Sequence, residues 1–262
     1  MNRIEKKFRQ LKTNNKKAFI AFITAGFPDL ATTAKLVLSF EKNGVDIVEL
    51  GVPFSDPLAD GPAIQRASEY SLKRGTNLPK ILGLVKKLRR DTDIPICLMT
   101  YYNPVFCFGE SNFINESVSA GVDGVIIPDL PPEEAKSFIS YANKSGLFNI
   151  CFVSPTTSDE RIKVIAKKAK GFIYYVSLTG VTGMRSKLST DLRTNLAKIK
   201  KTISLPVCVG FGISNVSQVK YASRFSDGVI IGSAIVEKIK KNIRRRSSLV
   251  QRVTNFVKSL NA

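Results

Sequence analysis

The chain has 262 residues, of which 44% are hydrophobic, and its 40 Lys and Arg against 21 Asp and Glu give a formal net charge of +19. That length is close to the ~250 residues of a (β/α)8 barrel, and the apolar fraction suffices for a large packed core. Histidine is absent, which removes the commonest general base, the commonest metal ligand and every Ser-His or Cys-His nucleophile arrangement.

Cys97, Cys107, Cys151 and Cys208 are widely spaced and form no Cys-x-x-Cys pair, so free thiols in a reducing compartment are expected, not a zinc site or a redox couple. No apolar run approaches the ~20 residues of a membrane span. The basic stretch from Met1 to Lys17 lacks the apolar segment of a secretion signal and leads directly into a strand-like run at Ala18. The protein is therefore expected to act where it is made, in a cytoplasm or, if an organelle encodes it, in a plastid stroma. The lysines are scattered along helix-like segments and cluster only between Glu237 and Arg246, without interleaved aromatics. This pattern reads as solvated helix faces and not as a nucleic-acid surface.

Short apolar runs alternate with longer amphipathic segments from end to end, the pattern of repeated βα units and a parallel sheet. Strands are predicted at residues 18–24, 47–50, 94–99, 124–127, 149–153, 172–176, 206–209 and 228–231. Helices are predicted at 30–43, 63–73, 78–90, 111–120, 132–144, 158–168, 190–200, 215–223 and 247–260. Eight strands indicate α/β architecture of the TIM-barrel type, one (β/α)8 domain over 1–262 with extra helices. A near-repeat of Gly-Val-Asp at 44–46 and 121–123, with Ser226-Asp227-Gly228 as a weaker third copy, suggests quarter- or half-barrel periodicity.

In such a barrel, functional groups sit at the carboxyl ends of strands and in the following loops. After strand 2, Glu49 lies in a run too apolar for a half-solvated strand, and an unpaired buried charge is costly. The loop behind it, with Pro53, Pro57, Pro62, Gly51 and Gly61, forbids helix and ladder and carries Ser55, Asp56 and Asp60. The bland alternative is a surface turn whose aspartates cap the next helix. Gly210-Phe211-Gly212 after strand 7 and Gly232-Ser233-Ala234 after strand 8 are either tight βα turns or a phosphate cradle of backbone N–H groups. The loop from Ser177 to Arg185 is either a lid or a long turn.

In order, Ala18-Phe19 through Gly26, the run from Glu49 to Pro62, Gly180-Val181-Thr182-Gly183, Gly210-Phe211-Gly212-Ile213-Ser214 and Gly232-Ser233-Ala234-Ile235-Val236 resemble the tryptophan synthase alpha chain family. The likeness spans essentially the whole chain, and the segment from Glu49 to Pro62 is its signature. It implies cofactor-free retro-aldol cleavage of indole-3-glycerol phosphate to indole and glyceraldehyde 3-phosphate. It also implies an α2β2 heterotetramer with a beta chain that carries PLP and receives the indole. By this resemblance Glu49 shuttles protons, Asp60 faces the indole nitrogen and Tyr174 is the active-site tyrosine, although Tyr175 next to it leaves the register open by one residue. Gly183, Gly212, Gly232 and Ser233 fall with the substrate-binding segments. Phe22, Tyr101 and Phe211 either wall the indole pocket or pack the core. Thr182 stands where relatives contact the catalytic aspartate on lid closure, and Leu178 where some carry Arg. Pro53, Asp56 and Pro57 fall on the part of the loop that meets the beta chain. Two other readings compete: another phosphate-binding barrel, such as a phosphoribosyl isomerase or epimerase, and an allosteric binding subunit with weak activity of its own.

Overall fold

A computed structural model describes residues 1–176, 192–210 and 212–261. Its parallel strands β1 (Ala18–Thr24), β2 (Ile47–Gly51), β3 (Ile96–Met99), β4 (Gly124–Ile126), β5 (Phe148–Val153), β6 (Ile173–Val176), β7 (Val207–Gly210) and β8 (Gly228–Ile231) pair in chain order, and β8 returns to β1 to close a barrel. Around it lie α1 (Arg3–Thr13), α2 (Leu30–Lys42), α3 (Pro62–Lys73), α4 (Leu78–Leu88), α5 (Tyr102–Phe108), α6 (Glu110–Ala120), α7 (Lys136–Lys144), α8 (Asp159–Lys168), α9 (Leu192–Thr202), α10 (Val216–Ser223), α11 (Ser233–Asn242) and α12 (Leu249–Leu260). Among the described residues no helix is long and apolar enough to cross a membrane.

Residues in register on adjacent parallel strands share a face, so the pairings trace the inner wall. Phe22 lies opposite Glu49, Glu49 opposite Cys97, and Cys97 opposite Gly124. From the other side, Ala18 lies opposite Gly228, Gly228 opposite Cys208, and Cys208 opposite Tyr174. Ala18 and Phe22 are an even number of residues apart on β1, so both runs belong to one face. The Cys97 thiol senses Glu49 and Cys208, which identifies that face as the lumen. Glu49 and Tyr174 therefore point inward, and Tyr175 points toward the surrounding helices.

The Gly-Val-Asp repeat has a structural meaning. Asp46, Asp123 and Asp227 precede β2, β4 and β8, and each carboxylate accepts a backbone N–H from the strand before: Phe19 at 2.9 Å, Ile96 at 2.8 Å and Val207 at 2.9 Å. The backbone N–H of each aspartate returns to the carbonyl of the same residue. Before β6 a related backbone bond runs from the Lys170 N–H to the Asn149 carbonyl, but Lys170 lies three residues ahead of the strand and out of register with the three aspartates.

Three helices depart from the predicted set. Residues 3–13 form α1, whose buried Ile4, Phe8 and Leu11 share one face at i, i+4 and i+7. It seals the amino-terminal end of the barrel: the Asn2 amide donates to the Asp123 and Gly146 carbonyls, and the Phe8 ring lies 5.8 Å from that of Phe172. Helix α5 forms through Pro104, tolerated in a first turn, because the Asp129 carboxylate accepts the Tyr102 N–H at 2.9 Å. Helix α11 runs ten residues, longer than the short helix expected to open at Ser233. Helix α7 begins at Lys136 and not at 132, since Glu134 and Ala135 both turn back onto the Pro131 carbonyl. Strand β3 begins at Ile96 because Pro95 has no N–H for the ladder.

Candidate active site

Glu49 sits near the carboxyl end of β2 with 0% exposure, and among the described residues neither carboxylate oxygen meets a hydrogen-bond partner. Burial alone pushes its pKa to about 8, so this side chain is held neutral at pH 7 and stores a proton. The Tyr174 phenol is buried nearby, its pKa driven well above 10 by burial first and then by the charges of Glu49 and Asp60. Its ring packs 4.8 Å from Phe152. Interior glycines make the space: a Cβ on Gly210 would lie 2.4 Å from the Tyr174 ring, and one on Gly51 would lie 2.6 Å from the Phe22 ring. Gly210→Ala is accordingly expected to cost about 1–3 kcal/mol through overpacking, read as a lower urea midpoint.

Asp60 ends the loop after β2 and is 6% exposed. Its pKa rises to about 6 because burial outweighs the opposing effect of the Tyr101 hydroxyl. That hydroxyl also accepts the Ala59 N–H at 2.9 Å, and the Gln65 amide donates to the Asp60 carbonyl at 2.9 Å. The loop is thus tied to β3 on one side and to α3 on the other, which fixes the carboxylate without neutralising it. Phe54 lies against Tyr101 with ring centroids 5.3 Å apart, a flat apolar wall beside Asp60. At neutral pH the two carboxyl groups occupy different states, Glu49 protonated and Asp60 ionised. Such a split is how a site assigns acid and anion roles to chemically similar groups.

Across the mouth, Gly212 has φ +81°, and Gly232 precedes α11, whose amino terminus carries no side-chain cap. A Cβ on Gly232 would lie 3.2 Å from the Phe22 ring, so the start of α11, with Ser233 as its first residue, adjoins the wall that also holds Glu49. Free helix N–H groups and the helix dipole favour an anion there. Phe22, Glu49, Asp60, Tyr101, Tyr174, Gly212, Gly232 and Ser233 therefore gather at one end of the barrel. Thr182, Gly183 and Phe211 lie outside the described residues, as does the predicted lid.

Comparison with known proteins places the chain in a family. A family profile described as "Tryptophan synthase alpha chain" matches residues 8–262. The chain belongs to the tryptophan synthase alpha chain family. A tryptophan synthase alpha chain of Geotalea daltonii is 52% identical over 241 residues, covering 92% of this chain and 91% of the relative. A crystal structure of tryptophan synthase subunit alpha from Legionella pneumophila superposes with a TM-score of 0.93 at 38% identity, covering 99% and 97% of the two chains. A structure from a study of mutual activation of the tryptophan synthase α2β2 complex of Pyrococcus furiosus gives a TM-score of 0.86 at 37% identity, covering 93% and 97%.

Within this alpha chain family fold, Phe54 and Phe152 were not anticipated as walls of the site. For Phe152 a signal existed, since it alternates with Ile150 on the inner face of β5. Phe54 reaches Tyr101 through loop geometry that no periodicity reports.

Proposed function

We propose that Glu49 and Asp60 divide the proton handling in the cleavage of indole-3-glycerol phosphate to indole and glyceraldehyde 3-phosphate, the alpha reaction that this lyase of tryptophan biosynthesis catalyses. The observation that carries this assignment is a fully buried Glu49 without a hydrogen-bond partner among the described residues, and an Asp60 of lower pKa that acts on the same Tyr174. Neutral Glu49 gives its proton to indole C3, and positive charge develops at the ring nitrogen, whose N–H the Asp60 carboxylate accepts. The Glu49 carboxylate then takes the proton from the hydroxyl on the carbon bonded to C3. That bond breaks, its electron pair restores the aromatic ring, and the oxygen becomes the aldehyde carbonyl. Proton transfers and charge stabilisation suffice for this sequence, so no cofactor is assigned to this chain; PLP belongs to the beta chain. Tyr174 and Phe22 shape the interior, Tyr101 holds the Asp60 loop, and Gly212, Gly232 and Ser233 cradle the phosphate.

The α2β2 assembly of the Pyrococcus furiosus relative supports a beta chain partner here, docked on the same loop that carries Asp60. Asp56 is exposed, Pro57 is half-buried, and Leu58 is 87% exposed, whereas Pro53 is buried and supports the loop from within. The test is indole release from indole-3-glycerol phosphate by the purified chain, with and without a beta chain. The expected result is acceleration by the partner, and for Asp56→Ala a loss of most of that acceleration with an unchanged melting temperature. An Asp56→Ala chain accelerated as fully as the unaltered one would remove this loop from the interface.

A further inference from the structure

Thr24 closes β1 and is 1% exposed, yet among the described residues its hydroxyl meets no hydrogen-bond partner. A buried hydroxyl in that condition loses water without compensation, and such groups are few in folded proteins. Its direction follows from register. Thr24 pairs with Gly51 and shares the inner face of β1 with Phe22 two residues earlier. It therefore stands one step closer to the mouth than the level of Phe22 and Glu49. Opposite it, Gly51 has no side chain, and the Phe22 ring lies over that position: a Cβ on Gly51 would come 2.6 Å from the ring and 3.6 Å from the Thr24 Cα. On the other flank, β8 pairs Ile231 with Ala21 and leads directly into Gly232.

Strand β1 thus lies between the strand that delivers the α11 amino terminus and the strand that delivers Glu49. In the reading above, on which this inference rests, the phosphate lies at Gly212, Gly232 and Ser233, the indole N–H meets Asp60, and C3 with its adjoining hydroxyl meets Glu49. One polar group of the substrate is left without a partner, the hydroxyl on the second glycerol carbon. The chain joining phosphate to C3 must pass between β8 and β2, in front of β1. We propose that Thr24 is a substrate-positioning residue whose hydroxyl bonds the second glycerol hydroxyl and so sets the angle at which C3 meets Glu49.

The test compares the unaltered chain, Thr24→Val and Thr24→Ser, each with a beta chain present, in two measurements. One is kcat/KM for indole release, and the other is the affinity for 3-(indol-3-yl)propyl phosphate, which lacks both glycerol hydroxyls. Thr24→Val, close in shape to threonine, is expected to lower kcat/KM about tenfold while binding the propyl phosphate within twofold of the unaltered chain. Thr24→Ser is expected to recover most of the loss. Equal weakening toward substrate and propyl phosphate would show a packing role and overturn the proposal, as would an undiminished kcat/KM. If the unaltered chain fails to bind the propyl phosphate, the underlying placement of indole and phosphate falls, and the proposal with it. Should Thr24→Val not fold, Thr24→Ala serves for the same comparison.

Discussion

Glu49→Gln is expected to lower kcat for indole release by at least about 10³-fold, within the roughly 10²–10⁴ typical of positioned acid–base groups. Glutamine keeps the shape and neutrality of the resting side chain but can neither give nor recover a proton. The pH profile carries the same assignment. Asp60 must be ionised and Glu49 protonated in the free enzyme, so kcat/KM should rise as pH passes about 6 and fall as it passes about 8. Asp60→Asn should remove the acidic limb along with most of the rate. Stability responds with a definite sign. The pKa of Glu49 is raised on folding from 4.5 to about 8, so its contribution is fully present below pH 4.5 and is lost as pH rises through 8. Glu49→Gln should therefore lose less stability than the unaltered chain as pH rises, as followed by thermal melts between pH 4.5 and 9. A variant with near-normal turnover and an unchanged profile would assign the proton shuttle elsewhere.

Both carboxylates were legible in the sequence for a physical reason. An acidic residue within the run from Ile47 to Leu50 has no solvent to face, and the prolines and glycines after it leave few conformations open to the loop that carries Asp60. Eight alternating runs were enough for the barrel, and strand alternation limited the inward tyrosine to one of a pair, a choice that closed registers resolve in favour of Tyr174. What escaped was tertiary in origin. Helix α1 is amphipathic, but a polar stretch so rich in Lys is weak as a helix signal until the open end of a barrel is there to receive Ile4. Helix α5 needs the carboxylate of Asp129, from the loop after another strand, to receive its first N–H. The free hydroxyl of Thr24 looks, in sequence, like the polar end of any strand. Only the register with Gly51 shows that it shares the inner face with Phe22 and Glu49.

Asp123→Ala is expected to be the most destabilising change outside the active site, costing about 3–5 kcal/mol, the range for removing one partner of a buried ion pair. The repeat of three aspartates lets the cause be separated from the backbone clip that they share. Asp123 is 3% exposed and holds the Arg89 guanidinium at 2.7 Å, itself only 10% exposed, together with Arg3 at 3.2 Å. Arg89 in turn donates to the Gly121 and Ile94 carbonyls, so it is pinned and cannot swing to water when its partner is lost. Removal of Asp123 leaves a buried cation and an unpaired Ile96 N–H, and it loosens Arg3 at the start of α1. Asp227 makes the same clip to Val207, but its side chain is 33% exposed and its partners Lys200 and Lys17 are 35% and 45% exposed. Those lysines can turn to solvent, so Asp227→Ala should cost about 1–2 kcal/mol, mostly the backbone hydrogen bond. Urea unfolding of the two variants at low and high salt decides the matter. The larger loss should belong to Asp123 and change little with salt, because its pair is shielded from mobile ions. Equal losses would mean that the clip, and not the buried charge, holds the barrel's amino-terminal rim.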